Sequence, residues 1–231
     1  MTGTDGGRSA FAVPARPGDR PARTSRRRRV ALFAAAAVVA LGAGLLVRQG
    51  TQGSAAHGYR LTLPRTLDAG TYTLSQDTSG AAVAGLHPDG SGPGMRDMTG
   101  VSAAYKGSAG PTAHRLLDFD GAYGTVDDPD LAVRGILGFM ADSGEGDVAV
   151  QPARITPAGA KEPLTCEVLK SSGDNGTPGF LPMCAWADSD TVGAVAVTDY
   201  LALAPSAGSV DLAAFARQVD TIRGEVRVRR G

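Results

Sequence analysis

The side chains able to do chemistry are scattered thinly through the 231 residues, with one exception. Asp118, Asp120, Asp127, Asp128 and Asp130 crowd into a single stretch, FDGAYGTVDDPD and its flank. Clustered carboxylates on loops can bind calcium through hard oxygen ligands, but the twelve-residue loop with glycine at its sixth and glutamate at its twelfth position is absent. Asp118, Asp120, Asp127 and Asp130 are therefore weak metal candidates. Asp128 precedes Pro129 and reads instead as a helix N-cap, with proline at the helical position whose N–H has no partner to lose.

The remaining candidates have blander readings. His57, His87 and His114 fall in a tether, a loop and a strand, without HExxH or any metal-ligand spacing. Ser143 lies in DSGEG, which lacks the strand-to-helix elbow of a hydrolase. The glycines of GSGPG at 90–94 enclose a proline and open no helix, so they do not form a phosphate cradle. Asp188 and Asp190 read as a turn, and the formal sequon Asn175-Gly176-Thr177 reads as a hairpin tip. No catalytic constellation emerges, no cofactor is implied, and an enzyme is the less favoured expectation.

The chain is organised around Val30 to Val47, eighteen residues without a charged side chain. At 1.5 Å per residue such a helix reaches roughly 27 Å, about the thickness of the bilayer hydrocarbon. Arg26 to Arg29 precede it. Residues 1–29 carry eight arginines against Asp5 and Asp19, whereas residues 51–231 carry fourteen basic residues against twenty-one acids. Positive flanks stay on the cytoplasmic side, so the amino terminus is expected inside and the carboxyl-terminal domain outside the cell membrane. Arginine before an apolar run is explained by topology, which removes the motive for a nucleic-acid partner. The alternative is secretion after cleavage near Ser54-Ala55-Ala56, or export by a twin-arginine address at Arg28-Arg29.

Export decides how Cys166 and Cys184 read. Two cysteines in an oxidising compartment point to one disulfide rather than to a metal site or a nucleophile.

The expected division is a disordered basic tail at 1–29, a transmembrane helix at 30–48, a flexible tether at 49–58 and one extracytoplasmic domain at 59–231. Within the domain, strands are expected at Tyr59–Leu63, Thr71–Leu74, Val101–Lys106, His114–Phe119 and Asp147–Ala153, the last with Val148 and Val150 on one face. A short helix is expected at Ala81–Leu86. Val133, Ile136, Leu137 and Met140 follow Asp128 at helical spacing, with Gly144 and Gly146 as the stop. LTCEVLK and FLPMCAW form a hairpin whose register would set Cys166 against Cys184, with Leu164, Val168, Pro182 and Trp186 on the same face. Thr191–Thr198 is a third strand, and Leu201–Ala204 continues it or covers the edge. A second helix near Ser209 carries Leu212, Phe215, Val219 and Ile222 and stops at Gly224, before a last strand at Glu225–Arg229. The fold class is α+β, an antiparallel sheet with two main helices, and the two strand-then-helix halves suggest an internal duplication.

At YRLTLP, VSAAYK, FDGAYGTVDDPD, LTCEVL and CAWADSDTVGAV the chain resembles uncharacterised actinobacterial single-pass membrane proteins. Their shared mark is a CxWxDxxTVG-like entry to the third strand, met here by Cys184, Trp186, Asp188, Thr191, Val192 and Gly193. The resemblance implies a basic tail, one span and a disulfide-containing extracytoplasmic domain, and it brings no catalytic or binding residues. The expected function is a membrane-anchored binding, sensing or interaction module of the cell envelope, with an envelope protein or a small molecule as ligand. The alternatives are an envelope enzyme using acidic residues and a structural envelope component.

Overall fold

A computed structural model describes residues 58–80, 85–143, 146–172, 178–199, 201 and 203–230, all within one compact unit. The basic tail, the expected span, nearly all of the tether and residues 81–84 of the expected short helix lie outside the described residues. Among the described residues no helix is long and apolar enough to cross a membrane. Gly58, assigned to the tether, already belongs to the domain, because its carbonyl accepts from the Arg230 N–H at 2.9 Å.

The elements are β1 (Tyr59–Leu61), β2 (Thr66–Leu67), β3 (Tyr72–Asp77), β4 (Met95–Gly107), β5 (Arg115–Val126), α1 (Pro129–Ser143), β6 (Asp147–Ile155), β7 (Leu164–Ser172), β8 (Pro178–Ala187), β9 (Thr191–Asp199), α2 (Leu212–Val226) and β10 (Arg227–Arg229). The fold is α+β. An antiparallel sheet of eight strands runs in the order β2-β3-β4-β5-β9-β8-β7-β6, and β1 pairs with β10 in a separate ribbon. The strand order mirrors itself about β5 and β9, as a duplication would require. The helices do not follow, since α1 packs in the cluster of Ala122, Val192 and Ala194 while α2 packs in that of Phe119, Trp186 and Val195 on the other face. A two-fold rotation exchanging antiparallel β5 and β9 would keep both helices on one face, so the halves are not rotated copies.

Both helices obey the expected periodicity. Asp128 Oδ1 accepts the Leu131 N–H at 3.0 Å, and Val133, Ile136, Leu137 and Met140 are all buried. In α2 the cap is Asp211, whose Oδ1 accepts from Ala214 N at 2.8 Å. Gly224 does not stop this helix. It lies on the exposed side, and one more half-turn buries Val226 completely. Burial here outweighs the modest propensity penalty of a helical glycine.

Two strands outrun their expected limits. β4 begins at Met95, and β5 continues through FDGAYGTV to Val126 because it is paired along most of its length to β4 on one side and β9 on the other. Such ladders override the low strand propensity of glycine. In β6 a register shift separates Val148, paired to Leu169, from Val150, paired to Val168, so the two valines do not share a face. β6 is the exposed edge of the sheet, and its bulges and Pro152 blunt that edge.

The segment with the strongest sequence signal is explained by packing. Cys166 and Cys184 are cross-strand partners joined by a disulfide, fully buried beside Trp186. The indole stacks on Phe119 with ring centroids 6.2 Å apart. It also lies on Gly193, its register partner on β9, so that a Cβ there would run into the six-membered ring of the indole. Asp188 Oδ1 accepts the N–H groups of Asp190 and Thr191 at 2.9 and 3.0 Å, and its Oδ2 accepts the Thr191 hydroxyl at 2.6 Å and pairs with Arg227 at 3.1 Å. The turn read at Asp188 and Asp190 is present.

Gly193→Ala should lower stability by about 1–3 kcal/mol, the usual cost of forcing a methyl into a packed core. A urea midpoint equal to that of the unchanged chain would contradict this packing. Replacing both cysteines by alanine should cost about 3 kcal/mol by the loop-entropy relation for a closed loop of this size. The same titration measures it.

Candidate functional site

The structure separates the acidic candidates. Asp118 and Asp120 are alternate residues on β5 and point to the α1 side of the sheet, half-buried, opposite Ala104 and Ser102 of β4. Asp127 lies seven residues further on, roughly 20 Å along an extended chain, and its Oδ2 accepts from Arg96 Nε at 3.0 Å. Asp130, on α1, pairs with Arg154 of β6 at 3.2 Å. Among the described residues no three histidine, cysteine or acidic side chains converge as metal ligands.

What the carboxylates on that face have in common is poor solvation. Burial, with the Asp120 charge beside it, pushes the Asp118 carboxyl up to about 6. Burial also raises Asp120, against the hydroxyl of Ser102, and raises Glu167 of β7, whose Oε1 has no hydrogen-bond partner and whose residue is 2% exposed.

The other sequence candidates are structural. GSGPG presses against the start of α1: the Gly94 carbonyl accepts the N–H groups of Asp127 and Asp128 at 2.9 and 3.1 Å. Gly94 itself has φ +67, which glycine adopts without strain. Ser143 ends α1 on the surface, and the His87 N–H donates to the Ser91 carbonyl in a turn. His57 and residues 175–177 lie outside the described residues. His114 is different, because its Nε2 lies 3.2 Å from Asp199 Oδ1 at the rim of a groove.

That groove, of about 210 Å³, opens between the start of α2 and the ends of β8 and β9. Phe180, Pro182, Val197, Leu203, Val210 and Phe215 make its apolar walls, while Arg115, Asp199 and Gln218 supply polar atoms. Arg115 and Asp199 are register partners across the β5–β9 seam, and Arg115 Nε donates to Asp199 Oδ2 at 3.1 Å. Gln218 Nε2 donates to Asp68 Oδ2 at 2.7 Å. Beside Arg115 and Gln218 stands Tyr72, fully buried, its hydroxyl lacking a hydrogen bond of ordinary geometry. Burial raises the phenol above its usual range, and the Gln218 and Arg115 side chains oppose the rise.

Asp68 is held in turn by backbone geometry. Asp68, Ala69 and Gly70 have φ of 53, 52 and 88°, three consecutive left-handed residues. The Glu225 carboxylate of α2 accepts the Asp68 and Ala69 N–H groups at 2.7 and 3.2 Å, the arrangement in which successive amides cradle an anion. The strain of a left-handed alanine is offset by a charge-assisted contact.

The chain matches no protein-family model, no curated protein and no solved structure. Its site must be argued from its own geometry. Tyr72, Arg115, Asp199 and Gln218 escaped the sequence reading because they are distant in sequence and share no spacing. One local signal was available, since Gln218 falls three residues after Phe215 and one before Val219, a polar residue among the apolar positions of α2.

The raised carboxyls have a linkage consequence. Between the ordinary value of 3.8 and about 6, folded Asp118 holds a proton that the unfolded chain has released, so its contribution falls as pH rises through that interval. Asp118→Asn should therefore stabilise the protein at pH 7.5 by on the order of 1–2 kcal/mol, below the full linkage value because the carboxyl keeps some solvent contact. At pH 4 the gain should shrink towards zero. Urea midpoints that differ equally at both pH values would overturn the assignment.

Proposed function

We propose that this protein is a membrane-anchored, extracytoplasmic binding module of the cell envelope, and that the groove between α2 and the β8–β9 end is its ligand site. The span at Val30–Val47, its arginine flank and the buried disulfide support the location. The observation that carries the binding reading is the groove itself, a concavity in which the apolar side chains of Pro182, Val197 and Phe215 stand together with the polar side chains of Arg115, Asp199 and Gln218. A structural component is less favoured: among the described residues the large exposed apolar side chains, Leu131, Val148 and Leu201, lie on α1, the edge strand and a loop. The likeness to actinobacterial single-pass membrane proteins is compatible with this reading and rests on the quoted motifs alone.

One observation favours an envelope enzyme as a second reading. Asp118 and Asp120 are neighbouring carboxyls on one face, both raised, as general acid-base groups must be to work near neutral pH. Their position in the centre of the sheet, away from the groove, makes them the weaker site.

Two measurements test the proposal. A phosphatase reporter fused behind Gly231 should be active outside the cytoplasm, and activity confined to the cytosol would refute the topology. A fragment screen followed by amide chemical shifts should give saturable changes at Val197, Ala204 and Gln218, lost in Ala204→Trp, which fills the groove. Fragments that collect elsewhere, or bind the filled variant equally well, would refute the site.

A further inference from the structure

We propose that the ribbon of β1 and β10 docks the domain on anionic phospholipid headgroups, an inference about a surface other than the groove that rests on the membrane-anchored reading. Residues 51–231 carry fourteen basic side chains against twenty-one acids, yet Arg60, Arg227, Arg229 and Arg230 fall on this short ribbon and the residue that follows it. The ribbon is basic on an acidic domain.

One of the four arginines is engaged by the fold. Arg227 lies over the Tyr59 ring, 3.6 Å from its centroid, and pairs with Asp188 at 3.1 Å. The other three make no ion pair among the described residues. Leu61 points into the core over Gly121, and neighbouring side chains of a strand point to opposite faces, so Arg60 projects away from the sheet beside its register partner Val228. Arg60 and Arg229 are both exposed. Arg230 donates through Nε to the Tyr59 carbonyl at 3.1 Å and lies 5.2 Å from the Tyr123 ring, which leaves its terminal nitrogens without a hydrogen bond among the described residues. The acids nearby do not cancel this charge. Asp190 stands beside Gly58, and the Glu225 carboxylate is held on the Asp68 and Ala69 N–H groups.

A guanidinium laid against an aromatic ring keeps its N–H edge free, and that edge matches a phosphate group. Three such groups on one small surface repel one another, and an anionic surface relieves the repulsion. The chain itself supplies the choice of partner. Residues 49–57 separate the expected span at 30–48 from Gly58, and nine residues reach no further than about 32 Å even when fully extended. The same anchor that confines the domain therefore confines this ribbon near the bilayer, at an effective concentration in the millimolar range for so short a connection. Each arginine near an anionic leaflet strengthens binding roughly fivefold, so three give on the order of 100-fold. For a tethered domain that is enough. An acidic polymer would offer similar charge, but no part of the chain holds one beside β1.

The test places the full-length chain in nanodiscs of phosphatidylcholine alone or mixed equally with phosphatidylglycerol, each doped with a lipid carrying a nitroxide on its headgroup. Paramagnetic broadening of the Arg60, Val228 and Arg229 amide signals should be at least about threefold greater in the anionic discs, and 1 M salt should erase the difference as the screening length falls to about 3 Å. Arg60→Gln combined with Arg229→Gln should abolish the difference at an unchanged melting temperature, whereas Arg60→Lys combined with Arg229→Lys should keep most of it. Equal broadening in the two lipids, broadening centred on α1 or β6, or a difference that survives the glutamine pair overturns the docking surface while the anchor stands. Shifts of the ribbon signals on adding polyglutamate, with no response to phosphatidylglycerol, overturn the lipid in favour of an anionic polymer. A chain that washes off the nanodiscs has no anchor, which refutes the membrane-anchored reading and this inference with it.

Discussion

The structure depends on one antiparallel seam. β5 and β9 lie at the centre of the sheet and pair continuously from Arg115↔Asp199 to Tyr123↔Thr191, joining segments far apart in the chain. Each face of the seam nucleates one of the two cores. On one side Phe119 and Val195 carry the disulfide, Trp186 and α2; on the other Ala122, Val192 and Ala194 carry α1. Small residues on the second face let a helix approach closely, and a glycine on the first face gives the indole its place. Closing so long a loop costs entropy that only the completed ladder and both cores together can offset. The disulfide acts on the neighbouring β7–β8 hairpin, where it restricts the unfolded chain rather than the seam itself.

The seam also explains where the groove is. α2 crosses the sheet with Phe215, Val219 and Ile222 buried against it, but it starts only at Leu212. The last residues of β9 and the middle of β8 therefore extend beyond helical cover, and Val197, Pro182 and Phe180 remain as walls. The seam ends at the same place, which puts the Arg115–Asp199 pair at the mouth. A half-exposed ion pair of this kind adds little to stability. Its consequence is positional, since it fixes a guanidinium at the edge of an apolar surface.

Local pattern was readable where local physics decides structure. The N-cap at Asp128, the four-residue stripe of α1, the stripe of α2 and the hairpin that brings Cys166 to Cys184 all follow from residues within one or two turns or strands of each other. Strand limits were not, because β4 and β5 owe their length to neighbours far away in sequence, and Gly224 was misread as a stop because the burial of Val226 depends on packing rather than propensity. The acidic stretch illustrates the same limit. Five aspartates close in sequence are distributed over a strand, a bend, a cap and a helix, two of them paired with arginines from β4 and β6.

The site was the least readable part, for a physical reason. Tyr72, Arg115, Asp199 and Gln218 come from β3, β5, β9 and α2, and what holds them is a relay rather than a motif. Glu225 clamps the left-handed turn at Asp68–Ala69, Asp68 then receives Gln218, and Gln218 stands beside the buried Tyr72 hydroxyl. Each link spans some 150 residues or joins separate elements, so none leaves a spacing in the sequence. A strained turn and a buried, unsatisfied hydroxyl both cost stability, by about 1 kcal/mol or more each. The Glu225 carboxylate offsets the first cost, and the second follows from packing Tyr72 wholly into the core between β3 and α2.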